Sequence, residues 1–440
     1  MTFEDPYFEA MSARREGLGP LLAQALDAFA RGDFETALGH YLAALELDPA
    51  SAAALSGAAG SLRKSGQMQR ASDLLAGLLE ADPGNRLARL ELATTQIETG
   101  QLEAAIAGFG SLIERDPDFD KAHFGLGIAQ GRAGRWPLAA ESFRRTLELS
   151  PKDQNARFHL ALALIQQGSL DAAVATLERT VREAPSFLRA RQRLGDLLFS
   201  SQRLPEAEEQ FRAVAAMEAE APPQERALAY YQLGRLQMAR DEIPGATADF
   251  ERAVALFPEL WQAHIALGHR YRSAARFIDA ASSFSSAAAI NPEHVAARIF
   301  EAQALIAGGE YARARARLEQ GLADLPRAAQ LGYALAHLLS SAPDAAVRDG
   351  ARALKLATSL DRALPSPAHG EAVAMALAEL GRFEEAAERQ QRLIDSALEA
   401  RKSPIPRPDA PGPEDLARLE ENLRGYQNRQ PVRLGGASSS

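Results

Sequence analysis

Between residues 18 and 400 the apolar residues fall in columns. A large apolar side chain recurs as Phe34, Met68, Leu102, Trp136, Leu170, Leu204, Ile243, Phe277, Tyr311 and Phe383. Three residues after each comes alanine: Ala37, Ala71, Ala105, Ala139, Ala173, Ala207, Ala246, Ala280, Ala314 and Ala386. Two residues ahead of the first five large positions stands glycine, at Gly32, Gly66, Gly100, Gly134 and Gly168, each 34 residues after the last. Such a period predicts stacked units of two short helices, with each glycine ending a first helix in the left-handed conformation. The alanine column marks where the two helices approach most closely. Proline ends the units at Pro49, Pro83, Pro117, Pro151, Pro185, Pro258, Pro292 and Pro326. It pushes the preceding residue out of the helical region, and Asp48, Asp82, Asp116, Ser150 and Asn291 there favour a turn.

The cleanest copy is 261–292, with small residues at Gly268, Ala280 and Ala287, rings at Tyr271 and Phe284, and the closing Pro292. At these spacings the unit resembles the tetratricopeptide repeat, a helix-turn-helix of ~34 residues. The expected fold is therefore all-α, a right-handed α-solenoid of about eleven repeats with a C-terminal capping helix. The repeat boundaries read as 18–51, 52–85, 86–119, 120–153, 154–187, 188–226, 227–260, 261–294, 295–328, 329–366 and 367–400. The sixth carries extra residues at 218–226, including Pro222 and Pro223, expected as a longer surface loop and a hinge between two halves. The tenth, 329–366, is degenerate and lacks the glycine. It also looks like the closing repeats of large bacterial members of the family.

Outside the array, residues 1–17 read as an N-terminal cover, with Phe3, Tyr7, Phe8 and Met11 available to pack on the first repeat. Residues 401–413 read as a proline-rich linker, 414–431 as a helix and 432–440 as a disordered tail. That helix places Leu416, Leu419, Leu423 and Tyr426 on one stripe and sets Glu414–Arg418 and Glu420–Arg424 as i,i+4 pairs.

The chemistry available is limited. No cysteine is present, which removes disulfides, thiolate nucleophiles and thiolate zinc sites. The net charge of −9, with only five lysines (Lys64, Lys121, Lys152, Lys355, Lys402), disfavours neutralising nucleic-acid phosphates. No apolar run approaches a membrane span, and the acidic start lacks a signal-peptide core. The expectation is a soluble chain of the bacterial cytoplasm, or of the periplasm if a signal peptide was removed. His264 and His269 lie five apart, off one helical face, and no HExxH occurs, so no metal site and no cofactor are expected. His123 and His264 instead share one repeat position. The glycines at Gly125, Gly127 and Gly131 lack nucleotide-loop spacing, and Gly127 belongs to a small-residue column with Ala93, Ala161, Gly195, Gly234 and Gly268. No catalytic signature appears, and an enzyme is not expected.

In the family resembled, the first helices line a concave surface that binds extended peptides or helices. Repeat phase places Leu90, Thr94, Phe124, Ile128, Phe158, Leu162, Gln192, Phe199, Tyr231, Arg235, His269 and Arg272 there. Further positions are Ile97, Ile165, Asp196, Met238, Ile265, Ile299, Gln303 and Ile306. Two readings of this set stand open. It is a partner-binding groove, or the aromatics at Phe124, Phe158 and Tyr231 are core positions of the repeat. Arg63, Arg132, Arg189, Arg193, Arg235 and Arg272 fall near the same face, where they form a basic strip or are neutralised by acids such as Glu91, Glu98 and Asp196. The lysine and asparagine clamp of chaperone-binding members is missing. So is the asparagine ladder of sugar-transferase members, whose column here reads Glu91, Gly125, His159, Arg193, Gln232 and Ala266. The leading expectation is a non-enzymatic scaffold binding a protein or peptide partner of unknown identity in its groove. The alternative is a substrate- or partner-presenting subunit of a bacterial glycan synthesis, export or glycosyl-transfer assembly. An open groove also admits a neighbouring copy of the chain.

Overall fold

The structure is a computed structural model that describes residues 6–402 and 412–434, with side chains described from residue 17 onward except at Lys402 and Pro413. The described residues form 23 helices and no strand. The chain divides into two compact units, Met1–Gln210 and Phe211–Ser440.

The first unit opens with the pairs α1 (Pro6–Ala30) with α2 (Phe34–Leu47), and α3 (Ala52–Lys64) with α4 (Met68–Ala81). Next come α5 (Arg86–Glu98) with α6 (Leu102–Arg115), and α7 (Asp120–Arg132) with α8 (Trp136–Leu149). It continues through α9 (Gln154–Gln166), α10 (Leu170–Glu183) and α11 (Leu188–Ser200). The division falls inside α12 (Leu204–Ala215).

The second unit begins with α13 (Pro223–Ala239) and α14 (Ile243–Leu256), then α15 (Trp261–Ser273) and α16 (Phe277–Ile290). There follow α17 (Val295–Ala307) and α18 (Tyr311–Asp324), and α19 (Ala329–Ser341) and α20 (Gly350–Ala363). The last pair is α21 (Pro367–Glu379) with α22 (Phe383–Lys402), covered by α23 (Pro413–Gln427). Within each unit a second helix packs on its own partner and on the next first helix, and several first helices also touch the next first helix. Each unit is thus a helical solenoid whose first helices share one face.

Helix approach is set as the columns imply. Every alanine of the Ala37-to-Ala386 column is fully buried. Beside it a ring fills the gap left by a missing side chain. A Cβ added to Gly268 would lie 2.5 Å from the Phe284 ring, and one on Gly127 would lie 2.6 Å from the Phe143 ring. Gly127 is therefore a packing residue. The tenth pair has the same device, unnoticed in the sequence: Ala353 is fully buried at the matching place in α20.

Each first helix but α19 ends in the same turn. After α3, the Gln67 N–H donates to Leu62 O at 2.8 Å and the Gly66 N–H to Arg63 O at 3.0 Å, around a left-handed Gly66. Glycine holds this position at Gly32, Gly66, Gly100, Gly134, Gly168, Gly309 and Gly381, but Gln202, Asp241 and Ala275 hold it with φ of 60°, 61° and 56°. The proline ends behave equally regularly. Asp48, Asp82 and Asp116 are extended C-caps whose carboxylates accept from the backbone two residues on. A side chain six residues after the proline then donates to its carbonyl: Arg89, Arg157, Arg191 and Arg298, with the ring nitrogens of His123 and His264 at 2.9 Å.

Two boundaries and one ion pairing differ from the sequence reading. Helix α1 runs unbroken through residues 17 and 18, and the side chains of Phe3, Tyr7, Phe8 and Met11 lie outside the described residues. The insertion at 218–226 is shared between a short turn and an added turn of helix, since α13 begins at Pro223 and is longer than the other first helices of its unit. Its Arg226 holds the turn through Ala215 O at 3.1 Å and Glu218 at 3.2 Å. In α23, Arg418 pairs with Glu371 and Asp415. Most of the 401–413 linker, and 435–440 of the tail, lie outside the described residues.

Two substitutions probe these rules. Gly268→Val drives branched carbons into the Phe284 ring and is expected to cost about 1–3 kcal/mol. Ala275→Gly is expected to stabilise by about 0.5–1 kcal/mol, because left-handed strain is relieved by more than glycine's chain entropy costs. Urea midpoints on the full chain check both. A neutral Gly268→Val, or a destabilising Ala275→Gly, would contradict the respective account.

Candidate functional site: the first-helix faces

A helix places residues four and seven apart on one face, so α5, α7, α9 and α11 each present a short row. In the first unit Leu90, Thr94 and Phe124 are half-buried and share a hollow of about 240 Å³ with Asp120, Lys121 and Asp153. Ile128, Leu162 and Ile165 are half-buried in the neighbouring rows, as are Gln192 and Phe199 on α11.

The aromatics of this face stack on each other. The Phe124 ring lies 5.8 Å from Phe143 and 5.6 Å from His159. His159 lies 5.7 Å from both Phe143 and Phe158, and Phe158 packs edge-on to Phe187 at 5.5 Å. Arg189 covers Phe158 and Phe187 at 5.5 and 5.3 Å. Phe158 is only 6% exposed, so its ring belongs to the packing. The imidazole of His159 is held below its ordinary pKa by burial, with Arg189 adding to the effect and Asp153 opposing it.

Three of the arginines near this face are engaged, while Arg193 is exposed. Arg63 pairs with Glu91 at 2.8 Å and reaches Glu98 at 3.7 Å. Arg132 donates to Ile97 O, and Arg189 to Asn155 Oδ1.

In the second unit Tyr231 leans on Phe250 at 5.8 Å with Arg235 over its ring at 5.9 Å, and Arg235 bonds Gln232. His269 is wedged between Phe284 and Phe300 at 5.1 and 4.7 Å. Burial, then Arg272 and Arg270, hold its pKa down, and its Nδ1 faces the Arg272 guanidinium at 3.4 Å. A large hollow of about 730 Å³ opens further along this face, where α17, α19 and α21 meet. Ile299, Ile306, Tyr333, Ala334, His369 and Leu434 line its apolar wall. Among the described residues no three His, Asp or Glu side chains converge as a metal ion requires, and no helix is long and apolar enough to cross a membrane.

Two family models, both described as tetratricopeptide repeat, match the chain. One covers 125–187, 158–225 and 192–260, and the other 28–84, 62–126 and 271–338. The chain belongs to the tetratricopeptide repeat family. Among solved structures it resembles a tetratricopeptide repeat protein from Parabacteroides merdae, with 21% identity over 58% of this chain and 99% of that one, TM-score 0.41. It also resembles YrrB, titled a TPR protein with an unusual peptide-binding site, with 21% identity over 44% and 96%, TM-score 0.37. A third likeness is to the Cut9–Hcn1 hetero-tetramer structure, with 19% identity over 69% and 60%, TM-score 0.43. No curated protein matches.

Tetratricopeptide repeats make the chain a protein-interaction scaffold. The two readings of its aromatic positions divide between residues. Phe158 is core, while Leu90, Thr94, Phe124, Ile128 and Leu162 keep part of their surface. The wall of the larger hollow includes Tyr333 and His337, overlooked because their repeat is degenerate. Both were within reach of the pattern, since Tyr333 continues Ile265 and Ile299 at the same period, and His337 continues His269 and Gln303.

The depressed His159 fixes the sign of a pH effect. The folded state favours the neutral ring, so its contribution is intact above the ordinary histidine pKa and is lost as pH falls through the lowered value. Moving from about pH 7.5 to about pH 5 is expected to lower the melting temperature of the full chain, and less so in His159→Phe, which keeps the ring contacts without a titrating group. Equal pH dependence in both proteins would remove His159 as a cause.

Proposed function

We propose that this tetratricopeptide-repeat chain is a non-enzymatic scaffold whose first-helix faces receive an extended peptide or a helical segment. The observation that carries the reading is the partly exposed apolar row of the first unit, Leu90, Thr94, Phe124, Ile128 and Leu162, with the hollow opening beside it. An apolar concavity with a few polar residues at its edge is what a docking side chain needs. Arg63 and Arg189 argue for an apolar anchor over a strongly acidic ligand. Arg63 and Arg189 already have partners, so an acidic peptide would have to displace Glu91 or the Asn155 contact.

Selection from a displayed peptide library tests this, comparing the wild type with Ile128→Asp plus Leu162→Asp. Both positions are half-buried, so the variant should keep its helicity by circular dichroism. Peptides enriched on the wild type are expected to bind the folded variant at least ~10-fold more weakly, the loss of one or two buried apolar anchors. Unchanged binding would move recognition off this face.

A further inference from the structure

The tenth pair lacks the turn that closes the other first helices. Helix α19 ends at Ser341, and Ala342, with ψ of 136° before Pro343, leads the chain away extended instead of into a left-handed residue. Its last carbonyls must therefore find other donors. Asp349 N–H donates to Leu339 O at 2.9 Å, in the role that the residue after the turn plays elsewhere. The next two carbonyls are met by the far C-terminal segment. The Leu434 N–H donates to Ser341 O at 2.7 Å, and the Arg433 guanidinium to Ser340 O at 3.2 Å.

That segment sits as a ligand sits. Past α23 the chain turns through a left-handed Arg429, and residues 431–434 run on to the C-terminal end of α19, which is buried. Arg433 pairs with Glu379 at 2.7 Å, and Leu434 packs on the apolar cluster at the edge of the 730 Å³ hollow. The contacts divide by how readily they part. Glu379 also pairs with Arg348 through Oε1 at 2.8 Å, so on loss of Arg433 it keeps one arginine, while its buried Oε2 stands open to another. Helix α23 is different. Its Arg418 and Asn422 both hold the buried Glu371, and its Tyr426 is almost fully buried. Only residues 431–434 can leave cheaply.

We propose that Ser340 O, Ser341 O and Glu379, with the adjoining hollow, form a recognition site for an extended peptide bearing an arginine followed by an apolar residue of leucine size. The chain's own residues 431–434 occupy the site as a tethered competitor. The carbonyls fix the backbone of the incoming peptide, Glu379 selects its arginine, and the apolar wall receives the next side chain. The hollow beyond Leu434 leaves room for further residues of a longer ligand. This inference rests on the peptide-docking reading above but uses a different unit of the chain.

The test uses the full chain and a fluorescent synthetic peptide spanning residues 428–434. Fluorescence anisotropy compares the wild type with Arg433→Ala plus Leu434→Ala, which frees the site. A short tether supplies an effective concentration in the millimolar range, so the opened variant is expected to bind the peptide at least ~10-fold more tightly than the wild type. Glu379→Gln in the opened chain, or alanine for arginine in the peptide, should weaken it again by at least ~3-fold. An opened, folded chain that binds the peptide no better than the wild type overturns the proposal and leaves the segment a plain helix cap. A second readout needs no variant. Adding peptide to the wild type at about 1 mM should speed hydrogen exchange at the Leu434 amide, and unchanged exchange also counts against it. Loss of library peptides on Ile128→Asp plus Leu162→Asp, together with failure here, would sink only this site and leave the first-unit groove standing.

Discussion

Two helices approach closely only where neither side offers more than a methyl group, and the rest of this chain follows from that limit. The fully buried alanine column fixes the distance within each pair. Because a ring then lies across the neighbouring helix, the residue beneath it must be glycine or alanine, as at Gly127 and Gly268. Close packing in turn demands connections short enough to return the chain at once. The left-handed turn after the first helix and the proline stop after the second meet that need with backbone hydrogen bonds and one side-chain donor each. Since each pair contacts mainly its neighbours, the same local solution can be repeated without a shared core.

The same crowding decides what is left for partners. First helices touch one another, so their outward positions are partly consumed by packing between repeats. Phe158 shows the consequence: its repeat position faces the inner surface, yet Phe187, His159 and Arg189 cover it. Polarity follows the same logic. Arg63 is set among carboxylates, so a count of arginines near the face overstates the free positive charge. A recognition surface in such an array is the remainder after packing, and it is richest where packing is interrupted.

Much of the fold was legible because its determinants are local and periodic: glycine, alanine and proline at fixed phase report backbone geometry directly. Legibility failed where one chemistry can be supplied by different residues. Gln202, Asp241 and Ala275 adopt the glycine conformation without announcing it. The donor to the proline carbonyl alternates between arginine and histidine, so no single letter marks the column, and the repeat position that His123 and His264 share proves to be a turn support. Ala353 hid behind the missing glycine of its repeat. The pairing of Arg418 with Glu371 was invisible for another reason, since helix periodicity speaks only of neighbours on the same helix. Of the binding face, the rows could be counted from the sequence. Which members keep exposed surface could not, because that depends on rings contributed by adjacent repeats.

The degenerate repeat shows why irregularity in such an array carries information. A regular turn satisfies the carbonyls of its own helix and leaves nothing to recognise. Replacing glycine by the Ala342–Pro343 step removes that closure and leaves directional acceptors beside an apolar wall for another donor. Acceptors in such a position must be met by water, by the chain itself or by a partner, and a segment of the chain with matched donors is already there. Had the only need been to end the helix, a glycine at this point would have served, as it does at Gly309 and Gly381 in the same unit. A guanidinium fork drawn from 93 residues away is a costly cap in chain entropy, and it adds what glycine lacks: a side chain and a backbone that can be exchanged for another of the same kind.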